Sequence, residues 1–342
     1  MLGEFSSVDE ISAAKTQLET AIAAVEINQP TVGKFYRLKN NQSGWYATST
    51  LRTGEAQHSN KLYMKEAGNT AESVWYLTSD KKLLSYVGGR YLGDMNADWS
   101  FEAIGTDGTE GNVVVFNESA VVGRYQILPS SGRALYGDQV RVDAAGDTNK
   151  SGNYAWIIEE VTEIPVTITE AGASTLYAPV ALSLPKEQGL TVYTAEKIDD
   201  YLKLTEVEDV IPANTGVILM GNEGTYNFTI SDETSGLKSD LKGAVATEVN
   251  LKDGTIYTLQ KPGNDFVMKM YNDDYLNGFK AYYEMPAGSN VQALRLSFGE
   301  TTGIDAVVNA GGKLEIYDMS GRRVEKMTKG LYIVNGQKVL VK

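Results

Sequence analysis

Three markers recur through residues 33–162 with one period and one order, and this repeat limits the fold more than any other feature of the chain. The first is a turn glycine. It closes Phe35-Tyr-Arg-Leu-Lys-Asn-Asn-Gln-Ser-Gly44, then Leu83-Leu-Ser-Tyr-Val-Gly-Gly89, then Arg124-Tyr-Gln-Ile-Leu-Pro-Ser-Ser-Gly132, so that Gly44, Gly89 and Gly132 stand 45 and 43 residues apart. The second is Leu62-Tyr-Met-Lys-Glu-Ala-Gly68, echoed by Ser100-Phe-Glu-Ala-Ile-Gly105 and Arg141-Val-Asp-Ala-Ala-Gly146. The third is an aromatic residue, Trp75, Phe116 and Trp156, at spacings of 41 and 40. The alphabet is Tyr, Val, Thr and Gly with period-two alternation, which is the pattern of strands. Each copy has room for about four short strands. Three copies are too few to close a propeller, which needs at least four blades.

Three four-stranded lobes, each closed by an aromatic residue, resemble the β-trefoil, and specifically the ricin-type lectin-like group. The residues behind the resemblance are Tyr36-Arg-Leu-Lys-Asn40 with Ser43-Gly44-Trp45-Tyr46 in lobe one, and the closing Trp75 and Trp156. The chain departs from that group in lacking Gln-x-Trp triplets and in placing Phe116 where a third Trp is expected. In such lectins an acidic residue accepts hydrogen bonds from sugar hydroxyls while a nearby aromatic ring stacks on the pyranose. The resemblance carries those roles to Asp94 with Tyr91 in lobe two and to Asp138 with Tyr136 in lobe three. Lobe one has Thr48 to Thr53 in that region and no acid, so it is expected not to bind. The residues alone also allow a plainer account: Asp94 and Asp138 as turn residues bonding their own backbone, and Tyr91 as lobe core. Trp75 and Trp156 read as core, because closing a lobe buries them.

Upstream, residues 7–28 read as a helix. Ser7 and Glu10 form a capping box, Ile11, Ala14, Leu18, Ile22 and Val25 share a face, and Pro30 ends the run. The expectation is a linker helix lying against a neighbour. The start, Met1-Leu2-Gly3-Glu4, has neither a basic segment nor a following apolar one, so it reads as an internal cut in a longer secreted chain or as an intracellular start.

After Ile164-Pro165, at least eight short strands at 8–12-residue spacing, broken by Gly, Asn and Pro, argue for a β-sandwich. Ala173-Ser-Thr-Leu-Tyr-Ala-Pro-Val-Ala-Leu182 with Ile211-Pro-Ala-Asn-Thr-Gly-Val-Ile-Leu219 resembles an accessory domain of secreted Bacteroidetes proteins. The last segment, Leu314-Glu-Ile-Tyr-Asp-Met-Ser-Gly321 followed by Lys329-Gly-Leu-Tyr-Ile-Val-Asn-Gly336, is similar to the C-terminal sorting domain read by type IX secretion. It has seven basic and three acidic residues from Gly312 to Lys342, a net +4 that leaves −17 on the rest of a chain of net −13. The expected organisation is a linker helix (1–32), a β-trefoil (33–162), a β-sandwich (163–302) and a small C-terminal β unit (303–342). The fold class is all-β with one N-terminal helix.

Composition removes most catalytic chemistry. There is no cysteine, which excludes disulfides, thiolate metal sites and cysteine nucleophiles. The single histidine, His58, lies in a polar stretch and leaves no His-based triad or multi-His zinc site. No phosphate-cradling glycine motif supports a nucleotide cofactor, and the acidic balance argues against nucleic acid. No apolar run approaches the 18 residues of a membrane span. Adjacent carboxylates occur at Glu159-Glu160, Asp199-Asp200 and Asp273-Asp274, but neighbours on a strand face opposite ways and cannot flank one bond. Asp147-Thr-Asn149-Lys-Ser151-Gly152 matches the first half of a calcium loop yet has Ile158 at its twelfth position.

The expectation is therefore a non-catalytic, cofactor-free portion of an extracellular or outer-membrane-surface protein. It would bind a glycan or polysaccharide, engage secretion machinery through its tail, and follow a polysaccharide-processing module upstream. The alternative is a structural or adhesive module contacting protein. An enzyme in its own right would need two carboxyls converging from distant segments.

Overall fold

Strand β1 (Lys34–Asn40) alternates as the sequence suggests: Tyr36, Leu38 and Asn40 are buried, with Arg37 and Lys39 between them only half so. The computed structural model describes residues 8–23, 29–51, 62–95, 101–103, 111–128, 133–137, 142–146, 152–186, 189–249, 254–289, 291–298, 316–318, 322–324, 330–334 and 337–341. They fall in two compact units, Met1–Thr162 and Glu163–Lys342.

In the first unit β1 is followed by β2 (Tyr46–Leu51), β3 (Leu62–Lys65) and β4 (Val74–Leu77), which make lobe one. Lobe two is β5 (Leu83–Ser85), β6 (Leu92–Met95), β7 (Phe101–Ala103) and β8 (Val115–Glu118). Lobe three is β9 (Tyr125–Leu128), β10 (Arg133–Gly137), β11 (Val142–Gly146) and β12 (Trp156–Glu160). The outer strands of each lobe join in a ring: β1 pairs β4 and β12, β4 pairs β5, and β9 pairs β8 and β12. Between β5 and β8 the ring is held by a bridge, Lys82 to Val113, and by Val114 N–H donating to the Lys81 carbonyl at 2.7 Å. The inner strands form the hairpins β2–β3, β6–β7 and β10–β11. Six ring strands and three hairpins in this order are the β-trefoil. The ring encloses Tyr36, Leu38, Trp75, Leu77, Leu83, Ile127 and Trp156, and the hairpins cap it with Ala47, Met64, Leu92 and Leu135.

The turn glycines have a common job. Gly44 N–H donates to Asn40 at 3.0 Å and Gly89 N–H to Ser85 at 3.1 Å; both glycines take left-handed φ values, +73° and +65°. Such a φ costs a β-carbon about 1–2 kcal/mol, which accounts for glycine at both. Gly132 lies outside the described residues.

Helix α1 (Val8–Ala23) forms, but the expectation that it lies against a neighbour needs correcting. Val8, Ile11 and Leu18 are well exposed, and none of its described side chains is buried. The 3.6-residue period supplies an apolar face without specifying what covers it. Ser7 and residues 24–28 lie outside the described residues.

Among the described residues the second unit has two main sheets, a short pair of β22 (Glu248–Val249) with β25 (Tyr275–Leu276), and a small C-terminal sheet. The smaller main sheet orders β13 (Glu163–Ile168), β20 (Gly224–Ser231), β15 (Ala181–Ser183) and β18 (Val210–Ile211), burying Ile164, Val166, Leu182, Tyr226 and Phe228. The larger one runs β14 (Ala173–Leu176), β19 (Val217–Gly221), β16 (Leu190–Ile198), β17 (Tyr201–Glu206), β27 (Ala293–Phe298), β24 (Val267–Met270), β23 (Ile256–Gln260), β26 (Lys280–Glu284) and β21 (Lys242–Ala244). Within it β17 and β27 run parallel. Twist accumulates across so many strands, and a large sheet curls. Here the curl brings the first strand beside the eighth: Ala281 N–H donates to Thr175 Oγ1 at 3.1 Å, and Tyr177 N–H to the Phe279 carbonyl at 3.1 Å. Leu202, Leu204, Ile218, Tyr257, Met268 and Leu294 share one buried cluster on this sheet.

In the C-terminal segment, β28 (Ile316–Asp318), β29 (Gly330–Val334) and β30 (Gln337–Val341) form a small antiparallel sheet. The β29–β30 ladder runs from Gly330 opposite Val341 to Val334 opposite Gln337.

Candidate functional site

The two closing tryptophans reach the same place in their lobes. Trp75 Nε1–H donates to the Ala47 carbonyl at 3.1 Å, and Trp156 Nε1–H donates to the Leu135 carbonyl at 2.9 Å. Ala47 and Leu135 are each three residues past their turn glycine. The matching residue of lobe two is Leu92. Phe116 has no N–H to offer, and the Leu92 carbonyl instead faces the Asn112 N–H at 3.4 Å. Both tryptophans are almost wholly buried and hence are core, as their sequence pattern suggests.

This frame places the proposed sugar-contacting residues. Tyr91 is two residues past its glycine, so its counterparts are Tyr46 and Ala134; Tyr136 is four past, so its counterparts are Thr48 and Gly93. The two tyrosines therefore do not occupy equivalent positions. The hairpins differ as well. In lobe two a bulge sets three residue steps, Leu92 to Met95, against two, Ala103 to Phe101, and Asp94 lies within that irregular stretch. Lobe one bulges in the same place, between Ala47 and Leu51. Lobe three pairs regularly from Arg133–Gly146 to Gly137–Val142. Asp94 is placed in β6 by its backbone alone, and Asp138 lies outside the described residues, as do His58 and Asp147–Ser151.

Around Tyr91 the wall is tight. A β-carbon on Gly111 would lie 2.4 Å from the Tyr91 Cβ. Lys82 Nζ sits over the ring at 5.4 Å and pairs with Asp80 at 3.2 Å. Burial raises the Tyr91 phenol above its ordinary pKa, and the Asp80 charge adds to this while Lys82 opposes it.

Lobe three gathers more polar chemistry. Tyr136 on β10 meets Tyr154, on the 3-10 turn Gly152–Tyr154, with ring centroids 5.0 Å apart at 63°. Asn153 Nδ2 donates to the Tyr136 hydroxyl at 2.8 Å. The Asn153 carbonyl in turn accepts from Asn40 Nδ2 at 2.8 Å, and Asn40 Oδ1 receives the backbone N–H groups of Gln42 and Ser43 at 3.0 Å each. The first lobe's turn thus fixes the third lobe's aromatic pair. Tyr136, Asn153 and Tyr154 are all half-exposed, so two rings and a side-chain amide meet solvent together. Tyr154 titrates above its ordinary value because of burial and the neighbouring Tyr136. The sequence reading found Tyr136 but missed Asn153 and Tyr154, whose only local signal was a short Gly-Asn-Tyr stretch. Thr48, in the lobe expected not to bind, is buried and donates to the Tyr63 carbonyl at 3.0 Å.

The adjacent carboxylates have separate partners. Glu159 accepts from the Tyr46 hydroxyl at 3.5 Å, whereas Glu160 pairs with Lys34 at 2.6 Å. Asp199, at φ +44°, and Asp200 turn the β16–β17 hairpin. Among the described residues no cluster of acids or histidine could hold a metal ion, and no helix is long and apolar enough to cross a membrane.

No family model matches the chain, and no curated protein does. Solved structures similar to it include a BEL β-trefoil in an apo crystal form, 20% identical over 39% of this chain and 97% of that one, with a TM-score of 0.32. A ricin B-like lectin of Macrolepiota procera, crystallised in complex with lactose, is 16% identical over 39% of this chain and 100% of its own, with a TM-score of 0.31. Cry35Ab1 is 10% identical over 75% of this chain and 88% of its own, with a TM-score of 0.29. The trefoil assignment rests on the chain's own strand pairing.

Proposed function

We propose that the first unit is a non-catalytic glycan-binding module. The observation that carries this reading is the Tyr136–Asn153–Tyr154 group. A sugar offers an apolar ring face and paired hydroxyls, and half-exposed aromatic faces beside an oriented amide suit both. Asp138 would accept hydroxyl hydrogens beside Tyr136, and Asp94 would do so beside Tyr91 in lobe two.

The rest of the chain serves placement on this reading. The C-terminal β unit resembles type IX sorting domains, which supports a secreted or outer-membrane-surface protein engaging that machinery. A polysaccharide-processing module upstream would gain effective concentration from a weak tethered binder. The second reading, a module that contacts protein, is favoured by the exposed Val8, Ile11 and Leu18 of α1.

The test is a glycan-array screen of the full chain beside Tyr136→Ala, Asp138→Ala and Asp94→Ala. Loss of signal in the lobe-three variants with folding preserved is expected. Binding that ignores all three discards these sites, and a folded chain that binds no glycan favours the protein-contact reading.

A further inference from the structure

The seam of the second unit's larger sheet encloses a partly open cavity of about 290 Å³. Its walls come from β14, β23 and β26 and include Ser174, Thr258, Gln260, Phe266 and Tyr271. Two lysines also line it, Lys261 and Lys280, and among the described residues no acidic one does. That sign is opposite to the chain's net −13.

Lys280 is the unusual member. Its ammonium donates to Ser174 Oγ at 2.9 Å, and Lys280 takes part in none of the ion pairs formed among the described residues. An ammonium has three N–H donors, so a single hydroxyl leaves donors over. Burial with nothing to offset it holds the group below the ordinary lysine pKa. Long cationic side chains usually escape such a cost by extending to water. Here the preceding Phe279 is buried with φ +57°, a left-handed conformation that a bulky residue seldom adopts. Strain of that kind collects where surroundings hold a site in shape. The second cation, Lys261, lies over the Phe266 ring at 4.8 Å and donates to the Ala171 carbonyl at 3.4 Å, across the strand ends that border the cavity.

We propose that this seam cavity binds a monosaccharide-sized carboxylate, with Lys280 as the anchor for the carboxylate group. The acid would take the free ammonium donors beside Ser174. Phe266 and Tyr271 would flank the ring, and Thr258 and Gln260 would meet its hydroxyls. The volume is at the small end for ligand pockets, which limits the occupant to about one ring. The site belongs to a different unit from the trefoil and stands whether or not the trefoil binds glycans.

The test is calorimetric titration of the full chain with galacturonate, with galactose and inorganic sulfate as comparisons. Galacturonate should bind with a Lys280-dependent component that galactose lacks. Lys280→Met, close in length but neutral, should weaken galacturonate at least about tenfold, as expected for loss of a charge-assisted hydrogen bond. The proposal fails if galacturonate does not bind, if Lys280→Met binds it equally, or if sulfate binds as well as galacturonate. Should the variant not fold, acetic anhydride labelling of the native chain, read by peptide mass spectrometry, decides instead. Galacturonate should protect Lys280 and galactose should not; equal labelling with and without galacturonate overturns the assignment.

Discussion

Trp75 Nε1 and the Ala47 carbonyl meet at 3.1 Å, tying the closing aromatic of lobe one to the first strand of its own hairpin. Trp75→Phe removes the donor and leaves a buried carbonyl without a partner. That costs about 1–3 kcal/mol. Urea denaturation of the full chain should move the first unit's transition to lower denaturant, with the second unit's unchanged. Equal midpoints would mean that the carbonyl finds water or another donor.

Gly111 lies against Tyr91 so closely that a methyl group there would sit 2.4 Å from the Tyr91 Cβ. The obstructing atom is next to the backbone and cannot swing aside. Gly111→Ala should destabilise the first unit by about 1–3 kcal/mol through overpacking. The same denaturation experiment reads it. Gly44→Ala meets nothing within 4 Å and should be destabilised only by its φ of +73°.

Asp80 accepts from Thr78 Oγ1 at 2.5 Å and pairs with Lys82, and these contacts hold its carboxyl below 3.8, the Thr78 bond foremost. A lowered carboxylate pKa stabilises the fold fully above the unfolded value, and the contribution disappears as pH falls through the folded value. Asp80→Asn should therefore lower the thermal midpoint at pH 7, and the gap should close on acidification below 3.8. The side chain is half in solvent, so the effect is small. A gap that widens in acid would reverse the sign and remove the contact from the account.

The trefoil was legible because its period is written in residues with distinct duties. Gly44 and Gly89 are needed for left-handed turns, and Trp75 and Trp156 for filling and pinning their lobes. Strand alternation in β20 was visible for the same reason: each step of two returns to one face, and Tyr226 and Phe228 are buried between exposed neighbours. The bulge between Leu92 and Met95 was not visible, because it changes register without changing local composition. Asn40 bonds Asn153 from 113 residues away, and Lys280 reaches Ser174 from 106. No window of sequence contains both partners of either pair. The exposed face of α1 shows the converse limit, since periodicity names a face and is silent on its partner.

The first strand of the trefoil pairs antiparallel with its last, beginning at Tyr36 opposite Glu160, so the chain enters and leaves this unit side by side. A pull applied to the two ends acts across that ladder instead of along it. The rungs are then loaded one at a time, first Tyr36–Glu160, then Arg37–Glu159, and they part like a zipper. However firmly its core is packed, the unit would yield to modest tension along the chain and lengthen a tether under load.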